Sequence, residues 1–80
     1  LLSRGLGDVY KRQTDDSAEI SFKYYGKSDS YSMLVTLSDN NSYKAYLDGK
    51  AVEFKNRNNG CMEFTFDGSA KQGVLKIEKA

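Results

Sequence analysis

From Ile20 to Ile77 nearly every second side chain is apolar, and the runs that carry this rhythm are cut by clusters of Gly, Asn, Asp and Ser. A two-residue period is the signature of strands with one buried and one wet face. Ile20, Phe22 and Tyr24 share one face of a first run, with Glu19, Ser21 and Lys23 on the other. Tyr31, Met33, Val35 and Leu37 share a face of a second run. Leu34 interrupts that alternation, so this segment is expected to be a central strand covered on both sides. Tyr43–Leu47 and Lys50–Lys55 flank Asp48-Gly49. A two-residue loop of that composition matches a type I′ turn, whose central residues both need positive φ. Cys61–Phe66 places Met62, Phe64 and Phe66 inward, and Gly73–Lys79 places Leu75 and Ile77 inward. No segment has helical spacing.

Six strands with turns every eight to twelve residues predict an all-β domain, either a small antiparallel sandwich or an open barrel. The expected core is Ile20, Phe22, Tyr24, Met33, Val35, Leu37, Ala45, Leu47, Val52, Phe54, Met62, Phe64, Phe66, Leu75 and Ile77. Eighty residues suffice for one domain, and a domain of this size buries only about 60% of its unfolded surface. Phe64→Ala is therefore expected to remove much of its stability.

The first thirteen residues, Leu1 to Gln13, follow neither period and begin on Leu rather than Met. They resemble the conceptual translation of a sequencing-adapter read-through. Residues 1–13 are accordingly expected to be non-native and disordered or loosely attached. Residues 14–80 are expected to be a single domain, the C-terminal fragment of a longer protein. The chain has 12 basic and 11 acidic residues. Setting aside Arg4, Lys11, Arg12 and Asp8 leaves nine and ten, a net charge of −1. Neither balance favours nucleic acid or anionic lipid as a partner.

With no histidine and one cysteine, catalysis would have to rest on carboxylates, lysines, tyrosines or Cys61. Glu53 and Glu63 both fall on the outward face, and a carboxylate pair across neighbouring strands is the one arrangement here that matches glycosidase chemistry. The blander reading, an exposed face with lysine partners, is preferred. Asp15-Asp16 reads as a solvated pair. Cys61 reads as a passive half-buried thiol, because activating it needs a base nearby. Asp39-Asn40-Asn41 and Asn56-Asn58-Asn59 supply oxygens but match no calcium loop, and turn formation explains them better. The expectation is no enzyme, no metal and no cofactor.

Six tyrosines and four phenylalanines leave an aromatic surplus beyond the core. Tyr25 and Tyr46 have outward parity and Tyr31 borders a loop, so these three are the candidate contacts for a sugar ring or a neighbouring domain. Against this stands the general preference of tyrosine for strands.

Tyr43-Lys44-Ala45-Tyr46-Leu47-Asp48-Gly49-Lys50-Ala51-Val52, followed by Cys61–Phe66 and Val74–Glu78, resembles the C-terminal Ig-like β-sandwich of secreted bacterial carbohydrate-active enzymes. Such domains often carry a Tyr-x-Val-x-Val-Asp-Gly-Lys hairpin; here Ala45 and Leu47 stand where valines are usual. The resemblance covers residues 31–80. It implies a non-catalytic accessory domain of a glycoside hydrolase or polysaccharide lyase, extracellular or at the cell surface. Its partners would be the upstream catalytic domain and polysaccharide, with no membrane span. The alternative is an Ig-like adhesion or spacer module of a bacterial surface protein that acts through protein contacts.

Overall fold

The computed structural model describes residues 5–36, 42–57 and 60–80. They form eight strands: β1 Leu6–Gln13, β2 Ser17–Tyr24, β3 Ser30–Thr36, β4 Tyr43–Leu47, β5 Lys50–Val52, β6 Lys55–Asn56, β7 Cys61–Asp67 and β8 Gln72–Lys79. Two sheets result, one in the order β1-β2-β8-β4-β5 and the other β3-β7-β6, with every pairing antiparallel. The domain is all-β, as the alternation predicts. Among the described residues no helix is long and apolar enough to cross a membrane.

The inward positions of both sheets meet in one core. Phe22 of β2 stacks on Phe66 of β7 at 5.6 Å, and Tyr24 stacks on Tyr31 of β3 at 3.9 Å. Phe54 tilts against Phe64 at 5.2 Å at the other end. Eleven of the expected core residues are buried, Ala18 and Tyr31 among their neighbours, while Leu47, Val52 and Phe54 are partly buried against them. Leu37 lies outside the described residues.

Asp48 and Gly49 have φ of 51° and 85°, the two positive values that a type I′ hairpin requires. Leu47 faces Lys50 across this turn. The turn is also tied to β8: Asp48 N–H donates to the Val74 carbonyl at 3.0 Å, and its Oδ1 accepts from Val74 N–H at 2.9 Å. Asp48 thus extends the β4–β8 ladder with its own side chain.

Three features depart from the sequence reading. Lys50–Lys55 is not one strand: it divides into β5 and β6, which belong to different sheets. Val52 closes one layer and Phe54 opens the other. Both point inward, so the alternation runs unbroken through the crossover and hides it. β3 is an edge strand rather than a central one; β8 and β7 are the middle strands. Leu34 is half-buried beside the outer-face side chains of its own sheet, lining a shallow depression with Asn56, Arg57, Cys61 and Glu63. No third layer is needed to cover it.

The third departure is β1. The segment set aside in the sequence reading pairs with β2 from Leu6↔Tyr24 to Gln13↔Ala18. A bulge at Asp8-Val9 interrupts the ladder, and Asp8 has φ of 50°. None of its eight residues is buried, and only Leu6 packs against the core.

Candidate functional site

Residues directly opposite one another on neighbouring strands project from the same face of a sheet. The register therefore maps the outer face of the five-stranded sheet. One row runs Arg12, Glu19, Lys76, Tyr46, Ala51, and the next runs Tyr10, Ser21, Val74. The first row alternates charge before ending in an aromatic and an alanine. The second is nearly free of charge. Lys76 also pairs with Glu78 of its own strand at 3.2 Å.

The exposed large apolar side chains of the described residues are Val9 (40%), Tyr10 (62%), Tyr25 (63%) and Val74 (38%). All four belong to β1, the end of β2 and β8. These three strands are neighbours in the five-stranded sheet.

Tyr25 continues the outward parity of β2. Its N–H donates to the Gly5 carbonyl at 2.7 Å, and its hydroxyl donates to the Asp8 carboxylate. The ring lies over Gly7, where a Cβ would approach it to 2.7 Å. The missing side chain at Gly7 is what seats the ring, and the bulge turns Asp8 toward its hydroxyl. That hydrogen bond raises the Tyr25 pKa above the usual phenol value, helped by desolvation and by the Asp8 charge. Beside it lies an open groove of about 300 Å³, lined by Asp8, Asp48, Ser21, Lys23, Gln72 and Val74 among others.

The three tyrosines singled out by the sequence do not converge. Tyr25 and Tyr46 share the outer face, Tyr25 beside β1 and Tyr46 on β4, beyond β8. Tyr46 is half-buried and lines a second open cleft of about 430 Å³ with Tyr43, Val52, Glu53 and Phe54 among others. Tyr31 is no surface contact: it is 6% exposed, stacked on Tyr24, with its hydroxyl donating to the Ala70 carbonyl. Burial, and then the neighbouring Tyr24, raise its pKa. Its inward parity with Met33 outweighs its place beside a loop. Tyr10 is the aromatic that the sequence reading missed. It stands next to Ser21, in a segment whose lack of alternation gave no reason to place it on a sheet.

The carboxylates do not form an acid–base pair. Register sets Lys55, not Glu53, opposite Glu63. Glu63 instead receives both of its hydrogen bonds from Nη2 of Arg57, at 2.9 and 3.0 Å. This contact raises the Arg57 pKa. Glu53 is exposed in the crossover between β5 and β6. Cys61 is half-buried opposite Thr36, on the outer face of the three-stranded sheet with Glu63 and Leu34. Asp16 lies 4.0 Å from Lys79 Nζ, and Asp15 is exposed. Asp67 accepts from Ser69 N–H and hydroxyl at 2.9 and 2.8 Å. These bonds, the backbone one first, hold its pKa below the usual carboxylate value. It is a turn residue in the manner expected of Asx side chains.

Among the described residues no three His, Cys, Asp or Glu side chains come together to hold a metal ion. Asp39, Asn40, Asn41, Asn58 and Asn59 lie outside the described residues.

No family model matches the chain, and no curated protein and no solved structure matches it either.

Proposed function

We propose that residues 14–80 are a non-catalytic, Ig-like accessory domain at the C-terminal end of a secreted bacterial glycoside hydrolase or polysaccharide lyase. The domain packs on the catalytic module and contacts carbohydrate through Tyr25, with Tyr46 at the far side of the same face. One observation carries this reading: the exposed large apolar side chains of the described residues all fall on three neighbouring strands of the five-stranded sheet, in β1, directly after β2 and in β8. A clustered apolar patch on an otherwise polar face marks a contact surface, whereas single exposed apolar residues do not. Tyr25 and Val74 belong to residues 14–80, whereas Val9 and Tyr10 belong to the adapter-like segment. In this reading residues 1–13 derive from adapter read-through, and β1 lies along the β2 edge where the parent protein's preceding segment joins.

The alternating charges of the row Arg12, Glu19, Lys76 favour the second reading, a spacer or adhesion module with a charged exterior. A titration of the chain against a panel of polysaccharides separates the two. Binding that weakens in Tyr25→Ala supports sugar contact. A flat response across the panel removes the sugar-binding part of the proposal. The reading frame upstream of Thr14 in an uncontaminated genome tests the rest: a carbohydrate-active catalytic domain is expected there, and a surface-repeat array would overturn it.

A further inference from the structure

An edge strand presents unpaired N–H and C=O groups, and proteins blunt such edges by shortness, lysine, proline or a bulge. Three of the four edges of these two sheets carry such devices. β1 has a bulge at Asp8-Val9 together with Lys11 and Arg12. β5 has three residues and begins on Lys50. β6 has two, one of them Lys55.

β3 has none. It runs seven residues, Ser30-Tyr31-Ser32-Met33-Leu34-Val35-Thr36, without charge, proline or glycine. Its register with β7 is continuous over all seven pairs, from Ser30↔Asp67 to Thr36↔Cys61, so no bulge bends it. Among the described strands nothing pairs with its other side.

We propose that the β3 edge is an interface at which a second copy of this chain adds its own β3, joining two three-stranded sheets into one of six. The sequence of the strand selects this occupant. A two-fold axis through Met33 sets Tyr31 opposite Val35, Ser32 opposite Leu34 and Ser30 opposite Thr36. Each pair joins residues of the same facing: Tyr31 and Val35 are both buried, whereas Ser32 and Leu34 both lie on the outer side. An aromatic opposite a β-branched residue is a favourable cross-strand pair. No like charges meet, which is the usual barrier to a strand pairing with itself. Seven paired residues a side bury less than a standard stable interface, so the dimer is weak and reversible.

Sedimentation velocity of the full chain across a concentration series tests this. The parent is expected to show a reversible monomer–dimer equilibrium. Ser32→Lys with Leu34→Lys places ammonium groups opposite one another at two symmetric points, and should raise the dissociation constant about tenfold. Ser32→Lys with Leu34→Glu puts opposite charges at the same points, and should leave the dimer as tight as the parent or tighter. Both variants change only side chains on the outer face, so both should keep the parent's far-ultraviolet spectrum. A parent that stays monomeric at every concentration overturns the proposal. So does a dimer that responds equally to the two variants.

Discussion

β2 is paired on both sides, and its two neighbours face the same residues. Ile20 stands between Leu75 of β8 and Lys11 of β1, and Ala18 stands between Ile77 and Gln13. Leu75 and Ile77 are fully buried, whereas Lys11 and Gln13 are exposed. At these positions both pairings are regular, but the second sheet covers one neighbour and leaves the other open. Hydrogen bonds make β1 a strand; only covering makes β8 part of the core. Magnitudes explain the difference. A net backbone hydrogen bond contributes about 0.5–1.5 kcal/mol, and fixing one residue's backbone costs about 1–2 kcal/mol. A strand with almost no apolar burial therefore sits near balance, while one that carries Leu75 and Ile77 gains several kcal/mol beyond it.

The largest effects belong on the covered side. Phe64→Ala, in the middle strand of the smaller sheet, is expected to cost about 3–5 kcal/mol, and Leu75→Ala about 2–5 kcal/mol. Urea unfolding followed by circular dichroism measures both. A Leu75→Ala midpoint equal to the parent's would mean that β8 is no more a core strand than β1.

The next effect concerns how the hairpin is fastened to β8. Asp48→Ala removes the acceptor for Val74 N–H and forces a Cβ residue lacking a short polar side chain into positive φ. A loss of about 1–2 kcal/mol is expected. Asp48→Asn keeps both an acceptor and a tolerance for that backbone conformation, and should lose less than half as much. Equal losses in the two variants would show that the side-chain bond to Val74 contributes nothing.

These particulars show what the sequence made legible. β2, β7 and β8 could be read because each is covered on one face only, and burial writes itself into every second residue. The hairpin could be read because positive φ at two successive positions restricts the residue types. β1 could not, since a strand open to water on both faces needs no alternation, and Leu6–Gln13 has none. The crossover at Glu53 was invisible for the opposite reason: Val52 and Phe54 both point inward, and parity does not say to which sheet. The candidate site was legible only in part. Outward parity found Tyr25 and Tyr46. Asp8, which holds Tyr25, and Tyr10 beside it lie in the segment without pattern. Tyr31 borders a loop, yet it shares the parity of Met33 and Val35 and is buried with them.

A smaller effect is expected at Tyr25 and is best read locally. Its phenol is a neutral acid with a pKa raised in the folded state. The contribution of its bond to Asp8 is thus complete below the unfolded value of about 10, and is lost as pH rises through the folded value. Above that, a phenolate would face a carboxylate. Hydrogen exchange should show the β1 amides losing protection in this window before those shared by β2 and β8. Tyr25→Phe should abolish the pH dependence and leave β1 loosened at all pH. Synchronous loss of protection across the sheet would mean that β1 and β8 open as one unit.

The smallest effect provides the sharpest contrast. Lys11 and Leu75 flank the same Ile20, so Lys11→Ala is the counterpart of Leu75→Ala on the open side. Truncating Lys11 removes an exposed side chain and leaves its backbone pairing in place. The expected change is within about 0.5 kcal/mol, the range of ordinary surface substitutions. A loss comparable to that of Leu75→Ala would mean that the inner face of β1 is covered in solution. The ladder and the core would then end at the same strand, and the distinction between β1 and β8 would disappear.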